Sequence, residues 1–366
     1  MSKVVKRADA DGDAPLKIEG MSFLWRMGCV VRPEVLLSEA GRTGRSKEKY
    51  LDLTDVDVLG YQFDGLLNLR TICLDCGAGS ARSPMDRAFW LRGLKEAMAL
   101  DQVICVVGRN IEEEHRFAAL RFGVQLVHAS EFSALVTAIA NGLPMYDFSS
   151  YYAENDAWAG YTKNIPGTLH DFLLKDNWQR DWNRIPVTVP GQLRRWGANL
   201  DLSKPLHQHG LIELGLLLSV GLTKLAVQLF KSKPGDLRSA VRTAVLGGDR
   251  QSRVIDQMIR LLDDIQASKE VKSSLFANGN RFEVPYLTEL IDLLFRFETR
   301  ISKAIAVPRC IQSLQLARLS GDIARYPEFL GNEADPVTVK LALDVFRYLR
   351  VASETKADFS KLFGSV

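Results

Sequence analysis

Residues 51–77 read LDLTDVDVLGYQFDGLLNLRTICLDCG. The first half alternates acidic with apolar residues and the second half is rich in Leu, Ile and Cys, so each half fits a β-strand. Between them stands Asp64-Gly65, a pair that favours the positive φ angles of a hairpin turn. We therefore expect two antiparallel strands, with Asp57 towards the end of the first strand and Asp75 at the end of the second.

Strand and helix signals continue on both sides of this hairpin. Before it, Cys29–Leu37 fits a strand interrupted by Pro33, and Gly20–Met27 fits a short helix. The elements expected after the hairpin are a helix over Pro84–Leu100, a strand over Gln102–Val107, a helix over Glu112–Phe122, a strand over Val124–His128 and a helix to Asn141. The order α-β-β-β-α-β-α-β predicts a mixed sheet covered by helices.

The rest of the chain changes character twice. Four of the six tryptophans lie in an aromatic stretch without regular periodicity, and beyond it only helical patterns occur. Those patterns cover Leu211–Phe230, Leu237–Leu246, Ser252–Ala267, Pro285–Ala306, Arg309–Leu319 and Pro336–Ser353. We therefore predict a polar tail at 1–18, an α/β domain at 19–141, an irregular aromatic linker region at 142–199 and an all-α domain at 200–366.

Composition excludes several classes of protein. With 366 residues, 46% hydrophobic and 25% charged, the chain is neither collagen-like nor largely disordered. A net charge of +3 is too small to indicate nucleic-acid binding by itself. The apolar stretch Leu211–Phe230 contains Glu213 and Lys224, which fits a buried core helix better than a membrane span. We expect no membrane partner.

The cysteines indicate a reducing compartment. There are five, an odd number at irregular spacing, which does not fit a secreted disulfide framework. Cys73 and Cys76 have the spacing of half a zinc site, but the sequence has no second pair, so we interpret them as core residues. The N-terminus lacks the apolar segment of a signal peptide. We therefore expect a cytoplasmic or nucleoid-associated protein.

Asp57 and Asp75 are the residues of the hairpin best suited to chemistry. Carboxylates on adjacent strands can share one divalent ion, and Mg²⁺ or Mn²⁺ takes oxygen ligands. Such an ion activates water and neutralises charge on a phosphodiester. The alternative is that these acids are solvated strand ends, an interpretation that Asp52 and Asp55 fit better. The pair predicts metal-dependent phosphodiester hydrolysis, with Mg²⁺ or Mn²⁺ as the cofactor if the site is active.

The strand order and the two acids resemble the PD-(D/E)XK, or restriction-endonuclease-like, superfamily over residues 20–131. The resemblance implies an αβββαβ core in which Asp57 and Asp75 hold the metal. Cys76 is then the intervening residue, whose carbonyl can help to bind the metal, and Glu19 is a candidate accessory acid. The family also implies nucleic-acid processing or defence against foreign DNA, with DNA or RNA as the ligand.

The sequence departs from this family at one position. Gly77 stands where the family has a lysine that orients water and stabilises the developing charge. Some members carry the basic residue on the following helix, where Arg87 and Lys95 are the catalytic candidates here, although arginine is a poor proton acceptor. The site is therefore either rewired or degenerate. We predict a degenerate module with weak or no cleavage, attached to a helical domain that binds a partner protein or nucleic acid.

The same residues also resemble a second family. The stretch Asp75-Cys76-Gly77-Ala78-Gly79 follows an apolar strand and looks like the first motif of class I S-adenosylmethionine methyltransferases, in which a glycine-rich turn approaches the cofactor. The sequence departs from that motif where Ala81 replaces the third glycine. A methyltransferase is therefore the alternative function.

Arginines accompany the tryptophans of the aromatic linker region. Aromatic and guanidinium groups together can stack on single-stranded nucleic acid. The alternative is that the tryptophans pack between domains, because neighbouring aspartates cancel much of the positive charge. The candidate nucleic-acid-binding residues are Arg180, Arg184, Arg194 and Arg195.

Overall fold

The computed structural model describes residues 12–41, 49–77, 83–139, 146–165, 169–174, 178, 182–248, 254–255, 257–258 and 286–362. The chain divides into two compact units. The N-terminal unit comprises residues 1–166, 170–179 and 312–332, and the helical unit comprises residues 167–169, 180–311 and 333–366.

The N-terminal unit contains a five-stranded sheet in the order β1-β2-β3-β4-β5. The first three strands are antiparallel, and β3, β4 and β5 are parallel. The strands are β1 (Val30–Gly41), β2 (Lys49–Phe63), β3 (Leu69–Gly77), β4 (Gln102–Val107) and β5 (Val124–His128). The accompanying helices are α1 (Ala14–Arg26), α2 (Pro84–Met98), α3 (Glu113–Arg121) and α4 (Ala129–Ala138). The expected mixed sheet with helices is confirmed.

The turn between β2 and β3 is held by Asp64. Its side chain accepts the backbone N–H groups of Leu66 and Asn68, at 2.9 Å and 2.8 Å, which is how aspartate stabilises turns. The expected hairpin is confirmed. The positive φ lies at Leu67, at 61°, and not at Gly65.

The core of the N-terminal unit lies between α1 and the sheet. Met21, Leu24 and Trp25 of α1 are buried against Val58 of β2 and Leu74 of β3. The cysteines are free and buried, as expected for core residues: Cys29, Cys73, Cys76, Cys105 and Cys310.

Strand β1 forms one edge of the sheet. The sequence suggested that Pro33 interrupts this strand. In the structure, Pro33 lies inside the strand and pairs with Val58. An edge strand tolerates proline because the missing N–H is not needed on its outer side. At the same edge, the Gln312 side chain donates to the carbonyl of Val31 at 2.7 Å and accepts its N–H at 2.9 Å. The glutamine amide thus pairs with two backbone groups that the edge of the sheet leaves without a strand partner.

The expectation that the chain is irregular over 142–199 is wrong. This stretch contains α5 (Ser149–Thr162), α6 (Leu169–Leu174) and α7 (Ile185–Trp196). The two prolines of α7 obscured its helical pattern. Pro186 lies in the first turn, where a missing N–H costs nothing. Pro190 cannot donate to the Pro186 carbonyl one turn earlier, and the Tyr348 hydroxyl donates to that carbonyl instead, at 2.9 Å.

The helical region is also confirmed. Its helices are α8 (Pro205–Ser232), α9 (Leu237–Val245), α10 (Leu287–Thr299), α11 (Ile301–Ala304), α12 (Val307–Leu319), α13 (Tyr326–Leu330) and α14 (Pro336–Ala352). One helix was expected over Pro285–Ala306, but the structure has two, α10 and α11, which meet at Arg300. The helix expected over Ser252–Ala267 lies almost wholly outside the described residues.

Among the described helices, α8 is the one long and apolar enough to cross a membrane. It is buried within the helical unit, as a core helix is. Two of its glycines allow close packing, because a Cβ at Gly215 would overlap the Phe346 ring and one at Gly221 would crowd Ile185.

Candidate functional site

The hairpin brings Asp57 and Asp75 to one end of β3. Val58 of β2 pairs with Leu74 of β3, so the two acids are the next residues towards that end. The backbone N–H of Cys76 donates to Asp57 Oδ2 at 2.6 Å. The structure therefore places the two predicted acids next to each other.

A lysine that the sequence did not single out binds Asp57. Lys17 of α1 lies 3.2 Å from Asp57 Oδ1 and 2.7 Å from Glu34 Oε1. Its side chain is only 8% exposed. Glu34 also accepts the Tyr152 hydroxyl at 3.1 Å. It has a left-handed backbone, with φ at 53°, which is costly for a residue other than glycine and is found most often at functional sites.

An arginine binds Asp75 in a similar way. Arg87 of α2 donates its Nε to Asp75 Oδ2 at 2.9 Å, and its Nη2 lies 2.7 Å from the same oxygen. The Cys105 thiol donates to the same oxygen at 3.3 Å. A Cβ at Gly77 would overlap the Arg87 guanidinium. Arg87 therefore fills the space that a side chain at position 77 would need.

The second basic candidate, Lys95, lies elsewhere. Its Nζ donates to the carbonyl of Gly123 at 3.2 Å, at the start of β5. Glu19, the candidate accessory acid, accepts the Ser133 hydroxyl of α4 at 3.1 Å. Neither side chain contacts the acid pair. The basic residues that contact the two acids are Lys17 and Arg87.

Burial dominates the electrostatics of the acid pair. It raises the pKa of Asp57 to about 7, because Lys17 and the Cys76 N–H only partly offset the loss of water, and Asp75 and Glu34 add repulsion. Burial also raises the pKa of Asp75, against the opposing effect of Arg87.

The arrangement does not fit a divalent metal ion. A hard cation needs several charged oxygen ligands, whereas Asp57 faces Lys17 and Asp75 is held by Arg87. The backbone N–H of Cys76 donates to Asp57, and metal binding by the Cys76 carbonyl stays a prediction. Within the described ranges, no group of three or more His, Cys, Asp or Glu side chains is placed to hold a metal.

The tryptophans of the aromatic stretch are buried and do not offer open stacking faces. Trp178, Trp182 and Trp196 are all at most 6% exposed. Of the candidate arginines, Arg184 and Arg195 are exposed, and Arg194 pairs with Glu354 at 2.7 Å. Arg180 lies outside the described residues. Binding of nucleic acid by these arginines stays a prediction.

Comparisons with protein-family models, with curated proteins and with solved structures each found no match. The likeness to the restriction-endonuclease-like superfamily therefore rests on strand order and on the two acids. The methyltransferase alternative stays a prediction as well, and residues 78–82 of its glycine-rich turn lie outside the described residues.

Proposed function

We propose that the N-terminal unit is a degenerate module of restriction-endonuclease-like type that does not cleave nucleic acid. The observation that carries this proposal is the pairing of both acids with internal cations, Lys17 with Asp57 and Arg87 with Asp75. The order α1, antiparallel β1-β2-β3, α2 and parallel β4 supports the αβββαβ core that the family implies.

Arg87 is the proposed counterpart of the family's lysine. Its guanidinium lies beside Gly77, so the positive charge reaches this position from α2 instead of from β3. Because guanidinium stays protonated, it can balance negative charge but cannot take a proton from water. The contact with Asp75 supports a role in charge balance and not in hydrolysis.

Lys17 plays the same part for the other acid. It lies between the carboxylates of Glu34 and Asp57, where its one positive charge contacts both. Buried charges persist only when they are paired. We infer that Lys17 and Arg87 take over the electrostatic role that a metal ion has in an active site of this family.

We infer that such a module binds and does not cut. Internally neutralised acids repel a phosphate backbone less than free carboxylates do. The helical unit is then the part that binds a partner protein or nucleic acid, and the exposed Arg184 and Arg195 support a contact with phosphate. The protein would act in nucleic-acid processing or defence, in the cytoplasm or at the nucleoid.

A cleavage assay tests this proposal. Labelled single- and double-stranded DNA and RNA are incubated with Mg²⁺ or Mn²⁺ and with the wild type or the Asp57→Ala/Asp75→Ala variant. We expect the wild type and the double variant to show the same background cleavage. We also expect the protein to shift at least one of these nucleic acids in a gel. Metal-dependent cleavage that is lost in the double variant would instead show a working nuclease, and a missing gel shift would remove nucleic acid as the ligand.

A further inference from the structure

A small pocket lies on the helical unit, and none of its lining residues belongs to the acid pair or its partners. Its volume is about 300 Å³, near the lower limit for sites that bind small molecules. It is formed by α14 and the residues that follow it. The lining residues are Leu343, Asp344, Phe346, Arg347, Arg350, Asp358 and Phe359.

Two arginines give this pocket its chemical character. Arg347 and Arg350 are three residues apart on α14, which places them on one face of the helix. Both are exposed, and neither forms an ion pair with any residue that the structure describes. Their guanidinium groups are therefore available to a ligand.

Two acids share the lining with these arginines. Asp344 is paired with Arg296 of α10, Nη1 to Oδ2 at 3.0 Å. The second acid, Asp358, is exposed. The four charged lining residues balance one another, and Arg296, which pairs with Asp344, adds one positive charge beside the apolar surface of Leu343.

We propose that this pocket binds a small organic oxyanion, a molecule with a phosphate or carboxylate group on a compact apolar body. The oxyanion would accept hydrogen bonds from Arg347 and Arg350, because the planar guanidinium matches both phosphate and carboxylate. The apolar body would lie against Leu343 and Phe359. The site is independent of the acid pair and of the proposed nuclease-like fold.

Calorimetric titration of the full chain tests the proposal. The probes are a nucleoside monophosphate, benzoate, the same nucleoside without phosphate, and inorganic phosphate, each to millimolar concentration. We expect the nucleoside monophosphate or benzoate to bind, and the uncharged nucleoside and inorganic phosphate to bind more weakly. The first two probes show whether the site takes phosphate or carboxylate.

A charge-matched pair of variants makes the test specific. Arg347→Gln/Arg350→Gln should weaken binding about tenfold or more, as expected for the loss of charged hydrogen bonds. Arg300→Gln/Lys340→Gln removes the same charge from exposed positions that do not line the pocket and should leave affinity unchanged. The proposal is overturned if neither organic oxyanion binds, if the uncharged nucleoside binds equally well, or if both variants lose the same affinity.

Discussion

Replacing Asp57 by Asn should change how the stability of the protein depends on pH. Asp57 is half-buried beside Lys17, Glu34 and Asp75, and its pKa rises from 3.8 to about 7 on folding. Asparagine keeps an oxygen that can accept the Cys76 N–H, but it cannot ionise. The substitution therefore removes one titration and preserves the nearby hydrogen bond, and Lys17 keeps its contact with Glu34.

The sign and size of the effect follow from linkage. The pKa of Asp57 is higher in the folded state, so the stability tied to its proton is complete below about pH 4 and is lost as the pH rises through 7. A pKa raised from 3.8 to about 7 corresponds to about 4 kcal/mol. Between pH 4 and 8 the free energy of unfolding of the wild type should therefore fall by up to about 4 kcal/mol more than that of Asp57→Asn.

Urea unfolding at a series of pH values, followed by circular dichroism, measures this difference. Asp55→Asn is the matched control, because Asp55 is exposed on the same strand. The difference in stability between the wild type and this control variant should be the same at every pH. The reasoning is refuted if Asp57→Asn and the wild type show parallel stability profiles, or if the variant is the less stable protein at pH 8.

Three further substitutions test separate contacts of the N-terminal unit. Arg87→Met should cost about 3–5 kcal/mol, because Asp75 is left buried without its counter-ion, as urea unfolding would show. Gln312→Ala should cost about 1–3 kcal/mol, because the backbone groups of Val31 lose their partners, and it should speed amide hydrogen exchange there. Gly77→Ala should destabilise the wild type but cost much less when Arg87 is truncated, a non-additivity that a double-mutant cycle measures.

Matched controls exist for all three substitutions. Arg92→Met removes an exposed pair on the same helix and should change stability by less than about 1 kcal/mol. Gln125→Ala removes an exposed amide on β5 and should have little effect. Gly93→Ala meets no neighbour within 4 Å and should stabilise α2 by about 0.5–1 kcal/mol. Equal effects in test and control variants would contradict the assigned contacts.

Much of the sheet could be predicted because its signals are local. Gln102–Val107 is an apolar run after its first residue, Val124–His128 is a short segment between two helical patterns, and both strands have the expected bounds. The hairpin followed from alternation around an Asp-Gly pair. The helix α7 was missed although its buried residues have helical spacing, because the compensation for Pro190 comes from the Tyr348 hydroxyl, more than 150 residues away.

The acids of the site could be predicted, but most of their partners could not. Asp57 and Asp75 end adjacent strands, which is a local pattern. Lys17 lies in a segment expected to be a polar tail, although Asp13-Ala14-Pro15 is a recognisable helix start. Its contact with Glu34 and Asp57 depends on how α1 packs on the hairpin. Arg87 was a candidate by its position on the following helix, and only tertiary structure distinguishes it from Lys95.

The central claim is that Lys17 and Arg87 take the place of a metal ion, and an Mn²⁺ titration followed by thermal unfolding tests it most directly. We predict that Mn²⁺ leaves the midpoint temperature of thermal unfolding of the wild type unchanged. We also predict that Lys17→Met/Arg87→Met is less stable and is restored by Mn²⁺, with a gain of about 3 kcal/mol at 100 times the dissociation constant. A wild-type midpoint that rises with Mn²⁺, and no longer does so in Asp57→Ala/Asp75→Ala, would contradict the claim.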